Sequence, residues 1–284
     1  MRGRTPRCLA LGLALASLSS SAWADFTPEQ RQSDFSAFNM NQNELRLGLF
    51  QEEYAIFDQW AVGTYLAPWI VMPIVQGPIL NLYTKVELLD FAPRLGQRFA
   101  LATRATLLYA DVDSFEVQGV DDGQFKATIL PVSVIGSYVF DKMWTASLET
   151  TFVQTWLNGD ADSVGATEVA GAAAQRSFQI AGYAEMRLSR HVALNLVLRY
   201  APWVEDLRVD SEIEVNASTT TQLQASFDAP TSGTAWLVQP GVTCSWGIFN
   251  LQVGVGYGNL FLPSVRVVSA TQTIVPDLDL YFRF

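Results

Sequence analysis

The sequence predicts an all-β fold, an up-and-down antiparallel β-barrel, and two observations lead to this prediction. Segments of about ten residues alternate apolar and polar side chains, which is the period-two pattern of β-strands. In residues 191–200, for example, Leu194, Leu196 and Leu198 fall on one face, whereas Asn195 and Arg199 fall on the other. The connections between these segments are alternately short and long, as expected for a barrel with two unlike ends.

The order of the connections gives the strand count. Short breaks fall at residues 57–60, 94–97, 140–143, 188–191 and 246–249, and long connections at 72–78, 111–123, 158–176, 202–233 and 259–276. Five short turns join ten strands, and the last long connection adds a strand that ends at Phe284. Because single-chain bacterial barrels have an even number of strands, we predict a further strand at 34–40, ahead of one at 44–56. The prediction is therefore twelve strands, with ten as the alternative, each about 9 to 13 residues long and able to cross a bilayer when tilted.

The N-terminus has the pattern of a secretory signal peptide. Three arginines precede the apolar run 9–16, and Ala22-Trp23-Ala24 forms a small-residue cleavage site. We predict that 1–24 is removed, that 25–43 supplies the first strand or enters the pore, and that 44–284 forms the barrel with long extracellular loops. Cleavage after Ala24 leaves 260 exported residues and moves the net charge from −10 to −13.

Composition excludes several classes of protein. Beyond the signal peptide, no apolar run approaches the roughly 18 residues of a membrane-spanning helix. Cys244 is the one cysteine that remains after cleavage, so an internal disulfide cannot form. His191 is the single histidine, which excludes any metal site or catalytic arrangement that needs two imidazoles. The acidic balance opposes binding of nucleic acid, whose phosphates would be repelled.

Strand periodicity alone does not say which face of the barrel is apolar, but the minority face carries charges of both signs in mid-strand. Such a face suits a wet, ion-paired lumen, and aromatic side chains near the strand ends suit the two headgroup boundaries. The candidate lumen-lining residues are Arg46, Lys85, Glu87, Arg104, Glu149, Glu185, Arg187, Arg199, Asp279 and Arg283. The barrel is therefore predicted to be transmembrane, with a soluble periplasmic β-protein as the alternative.

The final strand places Leu280, Phe282 and Phe284 on one face and ends on an aromatic residue. This pattern resembles the C-terminal signal by which the barrel assembly machinery recognises bacterial outer-membrane proteins. The mature chain as a whole resembles a Gram-negative outer-membrane β-barrel of the porin or small-transporter type. The resemblance implies insertion by that machinery into the outer membrane, in contact with lipid and lipopolysaccharide; it implies no substrate, and the oligomeric state stays open.

Two features concern the register and bore of this barrel. Pro131 and Pro240 lie inside predicted strands, so we expect a β-bulge or a shifted strand boundary at each. Inward-facing glycines and alanines leave room in the bore, whereas the inward arginines are long enough to cross it and pair with Glu149 and Glu185. We therefore expect a narrow path gated by side chains.

Enzymatic chemistry is not expected. The one candidate general base, His191, falls in a short turn, and no spacing singles out a pair of catalytic carboxylates. Half of the 28 carboxylates lie in the long connections, but none of these clusters has the spacing of a calcium-binding loop. We predict no metal site and no cofactor.

Three functions remain in order of preference. The first is a narrow channel or transporter for small solutes. The second is a closed structural barrel whose acidic extracellular loops bind a surface partner or cation-bridged lipopolysaccharide, with residues 207–227 extending two strands beyond the membrane as a hairpin. The third is a barrel hydrolase that depends on His191.

Overall fold

A computed structural model describes residues 36–66, 69, 79–112, 120–163, 167–204, 208–215, 220–226, 234–261 and 268–284. The signal peptide and its cleavage site lie outside these residues. Within the described part of the chain, no helix is long and apolar enough to cross a membrane.

The described residues form fourteen β-strands. They are β1 (Leu45–Gly48), β2 (Gln51–Phe57), β3 (Trp60–Tyr65), β4 (Ile79–Phe91), β5 (Arg98–Val112), β6 (Val120–Val139), β7 (Trp144–Ser163), β8 (Thr167–Arg187), β9 (Val192–Val204), β10 (Arg208–Val215), β11 (Thr220–Ser226), β12 (Ala235–Trp246), β13 (Phe249–Phe261) and β14 (Val268–Arg283).

Twelve of these strands close into a ring. Consecutive strands pair antiparallel from β1 to β9, β9 pairs with β12, and β12 to β14 lead back to β1. The other two strands, β10 and β11, form a hairpin that leaves the ring, because β10 pairs with the first half of β8 while β9 pairs with the second half. The all-β, twelve-stranded prediction is confirmed, and so is the hairpin for Arg208–Val215 and Thr220–Ser226.

The apolar face of the ring points outward. Leu194, Leu196 and Leu198 of β9 are exposed, whereas Asn195 and Val197 between them are buried. The same alternation runs through β4, β7, β13 and β14. A ring with exposed leucines outside and buried polar groups inside is the arrangement of a barrel that is surrounded by lipid.

The predicted first strand is wrong for residues 36–40, which are not in a strand. All five side chains from Ser36 to Met40 are buried, and the segment contacts the inward faces of β4, β5 and β6. The twelfth strand arises from residues 44–56 instead, which form the β1–β2 hairpin with a turn at Leu49 and Phe50.

Two long connections are shorter than predicted. Residues 111–123 and 158–176 were expected to be loops, yet β6, β7 and β8 run for 20, 20 and 21 residues; β6 already begins at Val120, and β7 and β8 stay paired through the described part of 158–176. A strand that crosses the apolar band needs roughly 9–11 residues, so this side of the wall continues well beyond it. Outside the bilayer no lipid selects an apolar face, which explains why the alternation fades although the backbone pairing continues.

The two prolines do not sit at bulges, contrary to the prediction. The β5–β6 register is the same on both sides of Pro131, and the β12–β13 register is the same on both sides of Pro240. Each proline stays paired with its other neighbouring strand, opposite Val153 and Leu196 respectively. Because proline has no backbone N–H, one ladder lacks pairing at each proline, but the register of the strands does not change.

Candidate functional site: the barrel lumen

All ten lumen-lining candidates lie on the inward face. Seven are buried, namely Arg46, Lys85, Arg104, Glu149, Arg187, Asp279 and Arg283, and three are partly buried, namely Glu87, Glu185 and Arg199. Period two brings them to one surface because each occupies the face opposite the lipid-facing leucines and aromatics. They do not form one cluster but several groups around the wall.

The first group joins four neighbouring strands, β5 to β8. Arg104 donates to the Glu149 carboxylate at 2.5 Å, and both side chains are almost fully buried. The other carboxylate oxygen accepts from the Tyr183 hydroxyl at 2.8 Å. Ser133 and Thr151 form a hydroxyl pair at 2.8 Å beside it. Glu149 is thus held by strands on both sides, as a buried charge must be.

The second group crosses the seam where the ring closes between β1 and β14. Arg46 donates to Asp279 at 2.6 Å, and its guanidinium lies 4.1 Å from the ring centroid of Tyr281. Arg283 pairs with Glu44 at 2.5 Å. Because Arg46 and Arg283 lie directly opposite each other, these two carboxylates offset a like-charge contact at the seam.

A third group was not found from the sequence. The Glu53 carboxylate accepts hydrogen bonds from Gln51 and Tyr83, at 2.9 and 2.7 Å. Tyr83 lies across Gly63 of the neighbouring strand, where a β-carbon would overlap its ring. The inward orientation of Tyr83 could have been predicted from period two, because Leu80 and Leu82 of the same strand face the lipid. The inward orientation of Glu53 could not be predicted in the same way, because the alternation of inward and outward residues shifts by one position at the β1–β2 turn.

A fourth group holds residues 36–40, called here the inner segment, against β4, β5 and β6. Lys85 donates to the Phe38 carbonyl at 2.5 Å, and Glu87 accepts from the Asn39 backbone N–H at 3.3 Å. The Ala37 N–H donates to the Ser137 hydroxyl at 2.7 Å. Polar contacts with the wall therefore hold the backbone of the inner segment at three consecutive residues.

The inner segment crosses the lumen near the end that carries the short turns. Ser36 lines a small cavity of about 20 Å³ with Thr145, Tyr183 and Asn195, on the β7–β9 wall. Residue 42 meets the opposite side, where its N–H donates to Asp58 in the β2–β3 turn at 2.7 Å. Because β2 and β8 are six strands apart in a ring of twelve, the path from residue 36 to 42 spans the bore.

The remaining candidates lie on β8 and β9. Glu185 and Arg187 pair with each other at 2.8 Å on β8, and Arg199 lies further along β9. Lys85 and Arg104 lie directly opposite each other on β4 and β5, but Glu87 turns to the inner segment instead of joining them. The three do not form a single neutral cluster.

His191 lies exposed in the β8–β9 turn, with its Nδ1 2.8 Å from the Ser245 carbonyl oxygen. Across the residues that the structure describes, no group of three or more histidine, cysteine, aspartate or glutamate side chains could hold a metal ion. The side chains of the acidic residues between 112 and 125, 159 and 175, and 204 and 233 lie outside what the structure describes.

A closed antiparallel ring with lipid-facing leucines outside and ion pairs inside defines a transmembrane β-barrel of the outer-membrane type. No protein-family model matches the chain, and no curated protein matches it.

Solved structures with a similar fold include the CymD monoaromatic hydrocarbon channel, at 9% identity and a TM-score of 0.47 over 86% of this chain and 87% of that one. The translocator domain of the autotransporter NalP from Neisseria meningitidis matches at 7% identity and a TM-score of 0.42, over 84% and 83%. The ferric preacinetobactin receptor BauA from Acinetobacter baumannii matches at 12% identity and 0.33, over 86% of this chain and 45% of the receptor. Likenesses this distant carry no argument about function.

Proposed function

We propose that this protein is an outer-membrane channel for small solutes whose path is closed near the periplasmic end by the inner segment. The observation that carries the proposal is the lumen itself: charges of both signs line a closed ring, and a short non-strand segment crosses the bore. In bacterial outer-membrane barrels the short turns face the periplasm, which places the inner segment on that side.

The charged wall favours passage of polar solutes. A structural barrel has no need of buried ion pairs, because well-packed apolar residues of similar volume are as stabilising or more so. Arg104 with Glu149 and Arg46 with Asp279 instead present fixed charges on opposite parts of the wall. A hydrated solute that enters the bore exchanges water for these groups, as in other charge-lined pores.

The inner segment is suited to displacement. It is not part of the β-ladder, and side chains of β4 and β6 rather than a neighbouring strand hold its backbone. The side-chain amide of Asn39 is buried with no hydrogen-bond partner among the described residues, which costs on the order of 1–3 kcal/mol per polar group. This cost lowers the free energy needed to move the segment out of the bore.

Planar-bilayer recording of the refolded mature chain tests the proposal, together with a variant that lacks residues 36–40. We expect small or rare conductance steps from the full mature chain and larger, more frequent steps from the deletion variant. Deletion of residues 206–228 is the control, since it removes a larger piece outside the ring and should leave the steps unchanged. Folded protein that is silent in both the mature chain and the 36–40 deletion would contradict the proposal.

A second function, binding of a surface partner, is favoured by the β10–β11 hairpin, which extends the wall beyond the ring. Such a barrel would stay closed and hold its partner, or cation-bridged lipopolysaccharide, through the long connections. Deletion of 206–228 would then abolish capture of the partner, whereas unchanged capture by the deletion variant would reject this function. We propose no catalytic role; His191→Ala should leave every measured property of the barrel unchanged.

A further inference from the structure

The small cavity beside Ser36 lies against two rows of inward side chains on the β7–β9 wall. Within each row, the strand register places the three residues directly opposite one another. The rows are Thr145, Glu185 and Asn195 and, further from the short turns, Ser147, Tyr183 and Val197, and we call these six residues the wall site. Strand spacing makes each row about 10 Å wide and separates the rows by about 7 Å, an area that fits one sugar ring.

Two buried polar groups of the wall site have no hydrogen-bond partner among the described residues. They are the Thr145 hydroxyl oxygen and the Asn195 side-chain carbonyl oxygen, and each residue is 8% exposed. The Asn195 amide nitrogen donates to the Thr243 hydroxyl at 2.6 Å, which holds the side chain in place. Because a buried polar group without a partner destabilises the fold, two of them on one cavity wall indicate a position where a ligand supplies the missing hydrogen bonds.

The charges at the wall site balance each other. Of the described residues that line the cavity, Glu185 alone is charged, and Arg187 pairs with its carboxylate at 2.8 Å. A charged solute would therefore bring a charge for which the wall site has no opposite partner, which is costly in a buried position. The site favours a neutral ligand.

The second row gives the wall site an apolar part. Tyr183 and Val197 pack in one buried cluster with Ala181. The Tyr183 hydroxyl donates to Glu149 at 2.8 Å, which fixes the position of its ring. Hydroxyl and amide oxygens in one row and apolar side chains in the next match a molecule that carries hydroxyl groups on a carbon skeleton.

From this arrangement we infer that the wall site binds a neutral polyhydroxylated solute, a monosaccharide or a small polyol. The inference rests on the proposed channel function and names its class of solute. Hydroxyl groups of the solute bond to Thr145 and Asn195, since a hydroxyl both donates and accepts. The C–H groups of its skeleton pack against Tyr183 and Val197.

The inner segment covers the wall site. Ser36 lines the same cavity, and the Ala37 N–H donates to Ser137, whose hydroxyl pairs with that of Ser147 at 2.7 Å. The space that remains is about 20 Å³, which holds one water molecule but no sugar. Apparent affinity falls with the fraction of molecules in which the site is open, so we expect deletion of residues 36–40 to tighten glucose binding by about tenfold or more.

Saturation-transfer NMR of the folded protein, in a detergent without a sugar headgroup, measures such binding. The probes are glucose and glycerol, together with glucuronate, which adds a charge to the same ring, and tetrahydropyran, which lacks the hydroxyl groups. In the protein without residues 36–40, we expect glucose and glycerol to bind. Glucuronate and tetrahydropyran should each bind more weakly than glucose by about tenfold or more.

Thr145→Val removes one hydroxyl without changing the shape of the side chain. In the protein without residues 36–40, it should weaken glucose binding by about threefold to tenfold, whereas Thr145→Ser should retain the affinity. The urea midpoint of Thr145→Val should stay the same or rise, because the lost hydroxyl has no partner within the described residues. Thr155→Val is the matched control; Thr155 is buried further along the same face of β7, and its loss should not affect glucose binding.

Heat-modifiable mobility on gels establishes that each variant is folded. The inference is overturned if neither glucose nor glycerol binds after deletion of residues 36–40, if glucuronate binds as well as glucose, or if Thr145→Val and Thr155→Val act alike. Conductance separates this inference from the channel proposal. A conducting barrel that binds neither probe refutes the wall site alone, whereas glucose binding to a silent barrel supports the wall site and refutes the channel.

Discussion

Arg104 and Glu149 form the most deeply buried ion pair that the structure describes in the lumen, with side-chain exposures of 5% and 1%. Removing one partner of such a pair leaves the other charge buried and uncompensated, which typically costs about 3–5 kcal/mol. The pair is therefore a sensitive test of whether this part of the bore excludes water.

Arg104→Met should lower the free energy of unfolding by about 3 kcal/mol, measured by urea titration in lipid vesicles with tryptophan fluorescence. Adding Glu149→Gln should restore part of this loss, because it removes the buried charge and keeps an acceptor for Tyr183. Arg176→Met is the control; Arg176 is exposed, and its loss should cost no more than about 0.5 kcal/mol. Equal effects at positions 104 and 176 would mean that Glu149 is well hydrated.

Close contacts from the two neighbouring strands require a glycine at position 63 of β3. A β-carbon at this position would overlap the Tyr83 ring and the Glu52 backbone carbonyl, and the backbone atom cannot turn away. We expect Gly63→Ala to lower the free energy of unfolding by about 1–3 kcal/mol, in the same urea titration. Gly182→Ala serves as the comparison, since open space surrounds its β-carbon position, and should stay within about 0.5 kcal/mol of wild type. A similar value at both glycines would contradict the overlap.

At the scale of elements, the β10–β11 hairpin is attached to the ring without being part of it. The pairs β8–β9 and β9–β12 close the wall beneath the hairpin. Deletion of residues 206–228 should therefore leave a folded, heat-modifiable barrel whose urea midpoint matches that of the full mature chain. Loss of the folded band on gels would show that the hairpin is needed to complete the ring.

Period two identifies the buried face of a strand because lipid imposes one rule, an apolar outer face, on every strand that it surrounds. Wherever that rule applies, as at Leu194, Leu196 and Leu198, the opposite face can be read directly. The rule does not apply where lipid is absent, which is the case for the extensions of β6 to β8 and for the inner segment inside the barrel. At the β1–β2 turn, Leu49 and Phe50 are adjacent apolar residues that interrupt the alternation. Inward-facing residues have even numbers before this turn and odd numbers after it, and the prediction of one continuous strand at 44–56 missed this change.

The groups inside the lumen could not be predicted from the sequence, since they depend on register. The register between neighbouring strands places Lys85 opposite Arg104. The registers of the next two pairs of strands bring Glu149, two strands away, within reach of Arg104. Period two fixes the face of a side chain but not its height in the barrel. The contact between Phe38 and Lys85 is even harder to predict from the sequence, because Phe38 lies in a segment that is not paired with any strand.

At the scale of the whole molecule, the pairing that closes the ring at its seam is among the shortest in the wall. The register of β1 with β14 covers Arg46–Gly48, with further backbone bonds from Leu45 to Phe284 and from Leu49 to Leu280, whereas β6 and β7 pair along most of their 20 residues. Local opening has the lowest free energy where backbone pairing is shortest. The ion pairs of Arg46 with Asp279 and Arg283 with Glu44 cross this seam and compensate for the short ladder.

Hydrogen exchange should therefore begin at the seam, with amides of β1 and of residues 280–284 exchanging before those of β6 and β7. Asp279→Asn removes the charge partner of Arg46 and should speed exchange at the seam by about tenfold or more, since a hydrogen bond to a charged group contributes about 1.5–3 kcal/mol. Asp90→Asn is the control, because its partner Arg98 lies on β5, away from the seam. Mass spectrometry of peptides from the exchanged barrel resolves the two regions. If Asp279→Asn accelerated β6 and β7 equally, the ring would open as one unit, and the seam would not be its weakest point.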